Sequence, residues 1–239
     1  MDQGLWSKIK KKVGPWSMVY SLFLVLSPWS MVHGQSTVHG QSTKTIENFD
    51  RYKPGQFPSV FRTWPFQRGD AKEVYHVAEE NGQKYLAAFD DKDFSKQIFR
   101  ELEWNTENFP YFKWKWRAHT LPKGAAENDG ATNDSACGVY IIFGKTSGTA
   151  LKFTWSTTLP VGTVFEKRPG EMAIQVVESG SKYLNQWRAN TANIPAAYQA
   201  LLKHPMKRQP TGFAILTDGN ATHSAAACDY SDFEISTVP

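Results

Sequence analysis

The sequence lacks the short motifs that identify the common catalytic classes. It contains no G-x-S-x-G nucleophile turn, no H-E-x-x-H zinc helix and no glycine-rich phosphate loop. Its histidines are scattered and do not have the spacing of zinc ligands. Cysteine is scarce, since Cys137 and Cys228 are the only two, and Cys137 has no nearby histidine signature of a thiol enzyme. No residue pattern therefore names a reaction.

An excess of positive charge is also missing from most of the chain. The whole sequence carries a formal net charge of +4, but four of its lysines lie between Lys8 and Lys12. The residues from Gln35 onward carry a net charge of only +1. Domains that bind nucleic acids present a basic patch or a high positive charge. The composition therefore argues against a nucleic-acid partner.

Long apolar runs are absent as well, although a short one lies near the N terminus. Met18–Leu26 is apolar, but it is too short to span a bilayer comfortably. A basic segment precedes it and small residues follow it, as in a secretory leader. We predict a signal peptide over residues 1–34, with cleavage after Gly34 or Gly40, and a disordered segment over residues 35–45. A retained membrane anchor is the alternative.

Aromatic residues, by contrast, are abundant. They make up 14% of the chain and include nine tryptophans, which suits a core built from strands. From Phe112 to Arg117, aromatic residues alternate strictly with basic ones, which is typical of a half-buried strand. Short strand-like runs recur at about ten places. Only residues 193–204 combine an N-cap with the apolar stripe of a helix.

This pattern predicts an all-β domain. Two stacked antiparallel sheets satisfy it, because each sheet must bury one face. We expect a jelly-roll β-sandwich over residues 46–239, with one short helix near residues 193–204. An up-and-down barrel is the less favoured arrangement, since a sandwich accommodates many short strands without closing a single sheet.

Several segments, taken in order, carry a resemblance to a known family. They read WKWRAHTLPKGAAEND, NDSACGVYIIF, LKFTW, VVESG, NIPAAY and GFAILTDGNAT. From Ile46 to Ile235 the chain resembles the bacterial secreted family known as domain of unknown function 3047. The resemblance implies a jelly roll like that of carbohydrate-binding modules, and it implies no catalytic residue because the family has no established activity. The family prefers Arg and Asp where this chain has Ala192 and Ala197, so any polar network of that pair is absent or altered.

Cys137 and Cys228 are candidates for a disulfide. An even number of cysteines in a secreted chain indicates pairing. Cys137 begins one predicted strand and Cys228 leads into the last one, which would allow the two to meet. Two buried free thiols are the alternative, because the sequence does not supply the geometry that a disulfide requires.

The basic face of the strand around Phe112–Arg117 is one candidate ligand-binding surface. It presents Lys113, Lys115 and Arg117 on the side opposite the aromatic residues. If this face is concave and open, Arg117 would meet an anionic sugar or a carboxylate. A solvated outer face with no ligand is the alternative.

Other candidate ligand-binding residues carry rings or polar groups elsewhere in the chain. Tyr140, Trp155 and Trp187 have rings that would stack on the apolar face of a sugar, although such residues also build cores. Asp218 and Asn220 lie where a predicted strand passes into a polar loop, and loops at strand ends are where binding sites form. Together these five residues predict a site for a carbohydrate or a similar polar ligand.

Two loops carry clusters of oxygen-bearing side chains. Asp129 and Asp134 lie in one loop, and Asp218 and Asn220 in another, and such groups are ligands that Ca²⁺ prefers. The alternative is turn chemistry, in which short polar side chains bond to their own backbone. We predict no cofactor, with Ca²⁺ as the one candidate.

Glu178 and Asp218 are the candidate catalytic residues. Each lies at the end of a predicted strand. Paired carboxylates cleave glycosidic bonds when they lie about 5–9.5 Å apart, and the sequence does not show their separation. Catalysis by this pair is therefore an alternative rather than the main prediction.

Taken together, these observations predict a secreted or periplasmic, non-catalytic module that binds a carbohydrate or a similar polar ligand. One alternative is a glycan-active enzyme that uses Glu178 and Asp218 together with Arg117. Another is a structural envelope protein that binds a second protein. We expect no nucleic-acid partner and no membrane span once the leader is removed, and the residues identify neither the ligand nor a protein partner.

Overall fold

The computed structural model describes residues 40–144 and 148–239. The predicted signal peptide, residues 1–34, lies outside them. Within the described chain there are thirteen strands and two helices. In chain order these elements are β1 (Thr43–Glu47), β2 (Arg62–Thr63), α1 (Arg68–Val74), β3 (Tyr75–Glu80), β4 (Gln83–Asp90), β5 (Ile98–Glu101), β6 (Tyr111–Thr120), β7 (Ser135–Phe143), β8 (Thr149–Ser156), β9 (Val164–Arg168), β10 (Met172–Ser179), β11 (Arg188–Asn193), α2 (Ile194–Leu202), β12 (Pro210–Asp218) and β13 (Ala226–Ser236).

The strands form two sheets. Sheet A has the order β11-β6-β13-β4-β3, and β1 also pairs with β13. Sheet B has the order β2-β5-β12-β7-β8-β10-β9. The predicted two-sheet, jelly-roll β-sandwich is confirmed, with one difference. Sheet B is mixed rather than purely antiparallel, because β10 pairs with β8 in parallel.

The aromatic residues of β6 fill the space between the sheets. Alternation along the strand directs Phe112, Trp114 and Trp116 inward, where each is at most 1% exposed. The ring centroid of Trp114 lies 5.3 Å from that of Phe153 on β8, and that of Trp116 lies 6.3 Å from that of Trp155 on the same strand. Burial of such a side chain contributes about 2–3 kcal/mol. These contacts hold sheet A against sheet B.

A disulfide adds a covalent link between the sheets. It joins Cys137 of β7 to Cys228 of β13, and their Cα atoms lie 5.6 Å apart. The predicted pairing is thus confirmed, and both residues are completely buried. Because 91 residues separate the two cysteines, the bond restricts a large part of the unfolded chain.

Local sequence signals account for one hairpin and for the predicted helix. Asn81 and Gly82 join β3 to β4 with φ values of 53° and 79°, as the type I′ turn requires. Asn193 caps α2, since its Oδ1 accepts a hydrogen bond from the N–H of Ala196 at 3.0 Å. The helix predicted near residues 193–204 is therefore confirmed. Neither helix of the described chain is long and apolar enough to cross a membrane.

Some elements differ from the sequence prediction. The edge strands β9 and β11 are not predicted, and neither is α1. Strand β1 begins at Thr43 and so includes the end of the segment predicted to be disordered, residues 35–45. This part of the segment is ordered because Thr43 pairs with Ser236 of β13, so that hydrogen bonds between the two strands satisfy their backbone groups.

Candidate functional site

A row of side chains crosses the outer face of sheet B. Strand register places Phe99 of β5 beside Ala214 of β12, and Ala214 beside Tyr140 of β7. Tyr140 lies beside Lys152 of β8, and Lys152 beside Ile174 of β10. Neighbours along each strand point the other way, into the core. The row therefore brings aromatic rings and one lysine together on a single face.

A polar cavity of about 260 Å³ lies at the Lys152 end of this row. Tyr140, Asp218 and Asn220 are among its lining residues. These are three of the residues predicted to bind a ligand, so the fold brings them together although they lie far apart in the sequence. We call this space the small cavity. Its remaining polar lining includes Ser95, Asn133, Lys152 and Lys167.

Buried Asp90 holds one of the loops that form the small cavity. Its carboxylate accepts hydrogen bonds from the backbone N–H groups of Lys92, Phe94 and Ser95 at 2.9–3.2 Å. This arrangement fixes the turn after β4. The hydroxyl of Ser95 then donates to Oδ2 of Asp218 at 3.3 Å. The turn is thereby tied to the end of β12.

Buried Asp134 joins the other two loops. Its carboxylate accepts hydrogen bonds from the N–H groups of Ala221 and Thr222 and from the hydroxyl of Thr222, at 2.7–3.0 Å. The loop before β7 is thereby fixed to the loop after β12, and these loops carry Asn133 and Asn220. The side-chain amides of both asparagines form no hydrogen bond with another described residue. They are available to a ligand.

Asp218 is almost completely buried, with 5% of its surface exposed. Its Oδ1 accepts a hydrogen bond from the N–H of Ser135 at 3.2 Å. Burial raises the pKa of Asp218 to about 6, although the nearby ammonium group of Lys152 lowers it and the carboxylate of Asp134 adds to the rise. Buried carboxyl groups with raised pKa values are frequent at functional sites.

Lys152 is the second buried charge of the small cavity, with 3% of its surface exposed. Its Nζ donates to the hydroxyl of Ser135 at 2.7 Å and lies 5.4 Å from the centroid of the Tyr140 ring. Burial acts to lower the pKa of Lys152, but the contacts with Tyr140 and the nearby Asp218 outweigh it, so that the pKa is raised. Lys152 therefore carries its charge at neutral pH.

A glycine makes room for the side chain of Lys152. A Cβ atom at Gly138 would lie 3.0 Å from Cε of Lys152 and 3.1 Å from the carbonyl oxygen of Leu216. Both distances are shorter than ordinary van der Waals contacts. The absence of a side chain at Gly138 therefore lets the lysine lie across β7 and reach Ser135.

A larger cavity of about 990 Å³ adjoins the small one. Tyr140 and Met172 line both, so the two spaces lie side by side on sheet B. Trp64 and Phe99 line the far part, with their ring centroids 5.8 Å apart, and 56% of the surface of Trp64 is exposed. We call the two cavities together the groove. It combines an aromatic part with a polar end.

Arg117 and Trp187 lie on the opposite side of the molecule, on the outer face of sheet A. Nε and Nη2 of Arg117 donate to Asp229 at 2.9 and 2.8 Å, and Nη1 donates to Glu80 at 2.7 Å. The guanidinium carbon lies 4.8 Å from the centroid of the Trp187 ring, and that ring packs edge-on against Tyr85. The predicted basic face is thus an outer face whose arginine is paired within the protein.

Two further candidates lie outside the groove. Trp155 points inward from β8 and is completely buried, and its Nε1 donates to the carbonyl oxygen of Gly180 at 3.0 Å. Glu178 accepts a hydrogen bond from Nε of Arg188 at 2.8 Å. Neither side chain lines the cavity that contains Asp218. Glu178 and Asp218 therefore do not face one common space.

The candidate calcium ligands are engaged in backbone contacts. Oδ1 of Asp129 accepts a hydrogen bond from the N–H of Ala131 at 2.9 Å, as in an Asx turn. Asp134 makes the loop contacts described above. Among residues 40–144 and 148–239, no group of three or more His, Cys, Asp or Glu side chains is placed to hold a metal ion. Calcium binding stays a prediction.

The sequence does not single out several residues of the groove. Lys152 is the only charge in LKFTWS, which is a weak signal because an outward lysine is usually solvated. Trp64 and Phe99 lie in segments without a clear strand pattern. Lys167 belongs to β9, which the sequence does not predict as a strand. Their proximity depends on long-range strand pairing.

The fold and the groove define a class of protein, namely a two-sheet β-sandwich with an open groove on the outer face of one sheet. The chain belongs to the family DUF3047, described as a protein of unknown function, whose sequence pattern matches residues 59–234. The resemblance found in the sequence is thereby confirmed. No curated protein matches the chain.

Several solved structures are similar to this chain. CBM29_1, a family 29 carbohydrate binding module from Piromyces equi, is 12% identical, with 83% of this chain and 91% of that chain covered and a TM-score of 0.35. Endoglucanase 3 of family GH12 from Trichoderma harzianum is 9% identical, with 84% and 99% covered and a TM-score of 0.41. The xyloglucanase domain of NopAA from Sinorhizobium fredii is 8% identical, with 77% and 96% covered and a TM-score of 0.42. At these values the similarities carry no conclusion about ligand or activity.

Proposed function

We propose that the protein is a non-catalytic module that binds a carbohydrate or a similar polar ligand in the groove of sheet B. One observation carries the proposal. The exposed ring of Trp64 and the neighbouring Phe99 lead, on one sheet, into a cavity with the free amides of Asn133 and Asn220. Apolar sugar faces pack on aromatic rings, while sugar hydroxyl groups need hydrogen-bond partners. The groove offers both.

The size of the groove suits an extended ligand. Pockets for small molecules usually have volumes of about 300–1,000 Å³, and the larger cavity, at about 990 Å³, lies at the upper end of that range. The small cavity continues it beyond Tyr140 and Met172. A short oligosaccharide would therefore run from Trp64 towards Asp218.

The positions of Glu178 and Asp218 favour binding over hydrolysis by this pair. Glycoside hydrolysis requires two carboxyl groups on either side of the bond that is cleaved. Among the described residues, Asp218 is the one acid that lines the small cavity. Glu178 is paired with Arg188 elsewhere, and this supports a binding module rather than an enzyme built on these two acids.

We also propose that the protein acts outside the cytoplasm, secreted or in the periplasm. The disulfide between Cys137 and Cys228 supports this location, because such bonds form and persist in oxidising compartments. The predicted signal peptide over residues 1–34 is in agreement with it.

A protein partner is a second candidate ligand. Phe66 is fully exposed and lies two residues from Trp64, whose surface is 56% exposed. Exposed aromatic residues that are close together are typical of protein interfaces. The structural envelope protein considered above would use this part of the groove.

The test is a thermal-shift and calorimetric screen of the full chain against neutral β-glucans, xylans, galactans and uronans, with an assay for new reducing ends. We expect at least one glycan to raise the melting temperature without being cleaved. Trp64→Ala should weaken its binding about tenfold, since one stacking contact is worth about 1 kcal/mol or more. Trp187→Ala on sheet A is the matched control and should bind as the parent does.

Each other outcome has a defined meaning. New reducing ends would replace the binding module with a glycan-active enzyme. No binding to any glycan would overturn the proposal and leave the protein partner as the candidate. Equal losses of affinity in Trp64→Ala and Trp187→Ala would show that the groove is not the site.

A further inference from the structure

Two lysines converge on the small cavity. Lys152 reaches it from β8 and Lys167 from β9, the outermost strand of sheet B. Lys152 is almost completely buried and its Nζ is directed to Ser135 at 2.7 Å. Burying an ammonium group is costly unless other groups compensate for it. A second ammonium group that faces the same space of about 260 Å³ therefore requires an explanation.

Lys167 has no compensating partner in the part of the chain that the structure describes. Its ammonium group forms no ion pair and no hydrogen bond with another described residue. Partial burial of its ammonium group lowers the pKa of Lys167, the like charge of Lys152 lowers it further, and Asp218 acts in the opposite direction. The two cations thus disfavour each other, and an anion bound between them would relieve this repulsion.

The nearby acids compensate Lys152 more than Lys167. Glu127 accepts hydrogen bonds from the hydroxyl groups of Thr154 and Ser156 at 3.1 and 2.6 Å, and so faces β8. Asp134 is bonded to the loop after β12. Asp218 is the one acid of the described chain that lines the small cavity. Asp218 and Glu127 both raise the pKa of Lys152, whereas only Asp218 acts in this way on Lys167, so Lys167 is the less compensated of the two cations.

The charges around the larger cavity, by contrast, are paired. Arg100 contacts Glu47 at 3.1 Å, and Glu101 contacts Arg62 at 2.9 Å. The unpaired positive charge of the groove is therefore confined to the small cavity. A ligand that satisfies the whole groove would be neutral along the aromatic part and anionic at the polar end.

We propose that the small cavity binds the carboxylate-bearing ring of a uronic acid, at one end of a glycan whose other residues lie along Trp64 and Phe99. This inference rests on the proposed function and names its ligand class. Lys152 and Lys167 supply the charge that pairs with the carboxylate. The amides of Asn133 and Asn220 supply hydrogen bonds to it or to the neighbouring hydroxyl groups.

The test compares acidic oligosaccharides with neutral counterparts that differ only at the carboxyl group. Trimers of galacturonate, mannuronate and glucuronate, and the same trimers after carboxyl reduction, are titrated into the full chain by calorimetry. We expect at least one acidic trimer to bind about tenfold more tightly than its reduced form, which is the effect of one well-placed ion pair.

Variants test whether the small cavity is the source of the preference for the acidic trimer. Lys167 is exposed, so Lys167→Gln and Lys167→Glu should fold, and both should reduce the affinity for the acidic trimer to that of the reduced trimer or below. Lys113→Gln, on the outer face of sheet A, is the matched control and should keep the full preference. A sulfated galactan trimer is included to distinguish a carboxylate from a sulfate ester.

The outcomes separate this inference from the proposed function. If acidic and reduced trimers bind equally and Trp64→Ala weakens both, the glycan-binding module stands and the uronate site is wrong. The uronate site is also wrong if Lys113→Gln and Lys167→Gln lose the same affinity, or if only the sulfated trimer binds. If no oligosaccharide binds at all, both proposals fail.

Discussion

The two outer faces of the sandwich differ in how their charges are satisfied. On sheet A, Arg117 is held by Asp229 and Glu80, and Lys115 lies 2.9 Å from Asp232. On sheet B, neither the ammonium group of Lys167 nor the amides of Asn133 and Asn220 have a side-chain partner within residues 40–144 and 148–239. A charge that already has its counter-ion contributes to the fold, whereas an unpaired charge in a cavity is available to a ligand.

The tryptophans of the two faces show the same difference. Trp187 on sheet A lies against the guanidinium group of Arg117 and packs edge-on against Tyr85. Trp64 on sheet B keeps 56% of its surface exposed beside Phe99. Aromatic content alone therefore does not indicate a binding platform, because a ring must also keep one face free of its own protein.

The largest expected effect on stability comes from removing the disulfide that links the two sheets. Replacing both Cys137 and Cys228 by Ala should lower the free energy of unfolding by about 4 kcal/mol, because the bond joins residues 91 positions apart and closes a long loop. Denaturation by guanidinium chloride with and without a reducing agent measures the loss. A loss below about 1 kcal/mol would mean that core packing alone sets the relation between the two faces.

The next largest effect on stability is expected from breaking the ion pair between Arg117 and Asp229 on sheet A. Oδ2 of Asp229 accepts a hydrogen bond from Arg117 and also lies 2.6 Å from Nε2 of His119. Asp229→Asn should lower the free energy of unfolding by about 3 kcal/mol, since it leaves a largely buried arginine with only Glu80. Glu80→Gln, at an exposed acid, should cost less than about 1 kcal/mol. Equal losses in the two variants would contradict a structural role for the buried pair.

Asp218, on sheet B, should behave in the opposite way to Asp229, because replacing it by Asn should stabilise the protein at high pH. Because folding raises the pKa of Asp218 from 3.8 to about 6, its contribution to stability is present below about pH 4 and is lost as the pH rises through about 6. Asp218→Asn should therefore raise the free energy of unfolding by about 2 kcal/mol at pH 8 and change it little at pH 4.

Urea denaturation of the parent and of Asp218→Asn at both pH values measures this difference. A variant that is destabilised at pH 8 would show that the ionised carboxylate supports the fold through Lys152. In that case the charges in the small cavity would be paired like those of sheet A, and the two faces would no longer differ in how their charges are satisfied.

The smallest effect is expected at a paired but exposed lysine. Lys115→Gln removes the ion pair with Asp232, in which both side chains are partly exposed. It should change the free energy of unfolding by less than about 0.5 kcal/mol and leave glycan affinity unaltered. Thermal unfolding and the calorimetric titration check this. Any loss of glycan affinity would move the binding surface towards sheet A.

The sequence predicts those elements whose two faces differ in burial. Strict alternation between Phe112 and Arg117 was sufficient for β6, and the Asn193 cap was sufficient for α2. Strands β9 and β11 lie at sheet edges, where most of their residues are exposed or only partly buried, and β11 reads RANTAN. Such strands have no hydrophobic period, so only their partners reveal them.

The site was predictable only in part. Asp218 and Asn220 follow a recognisable strand, and the ring of Tyr140 is an obvious candidate. Lys152 points outward from the sheet, and it is covered only because loops come together there through Asp90 and Asp134. No local sequence pattern predicts this contact between the loops. The same limit applies to Arg117, since the sequence does not say which outer face carries the groove.

Among the strands that the structure describes, β9 pairs only with β10, and a tight connection separates the two. A hairpin at the margin of a sheet can accept new residues with little effect on the remaining strands. Lys167 belongs to this hairpin, whereas the aromatic floor of the groove belongs to the interior strands and to the segment that carries Trp64. Ligand preference can therefore diverge among related proteins by substitution in one peripheral hairpin, while the folding of the sandwich is conserved.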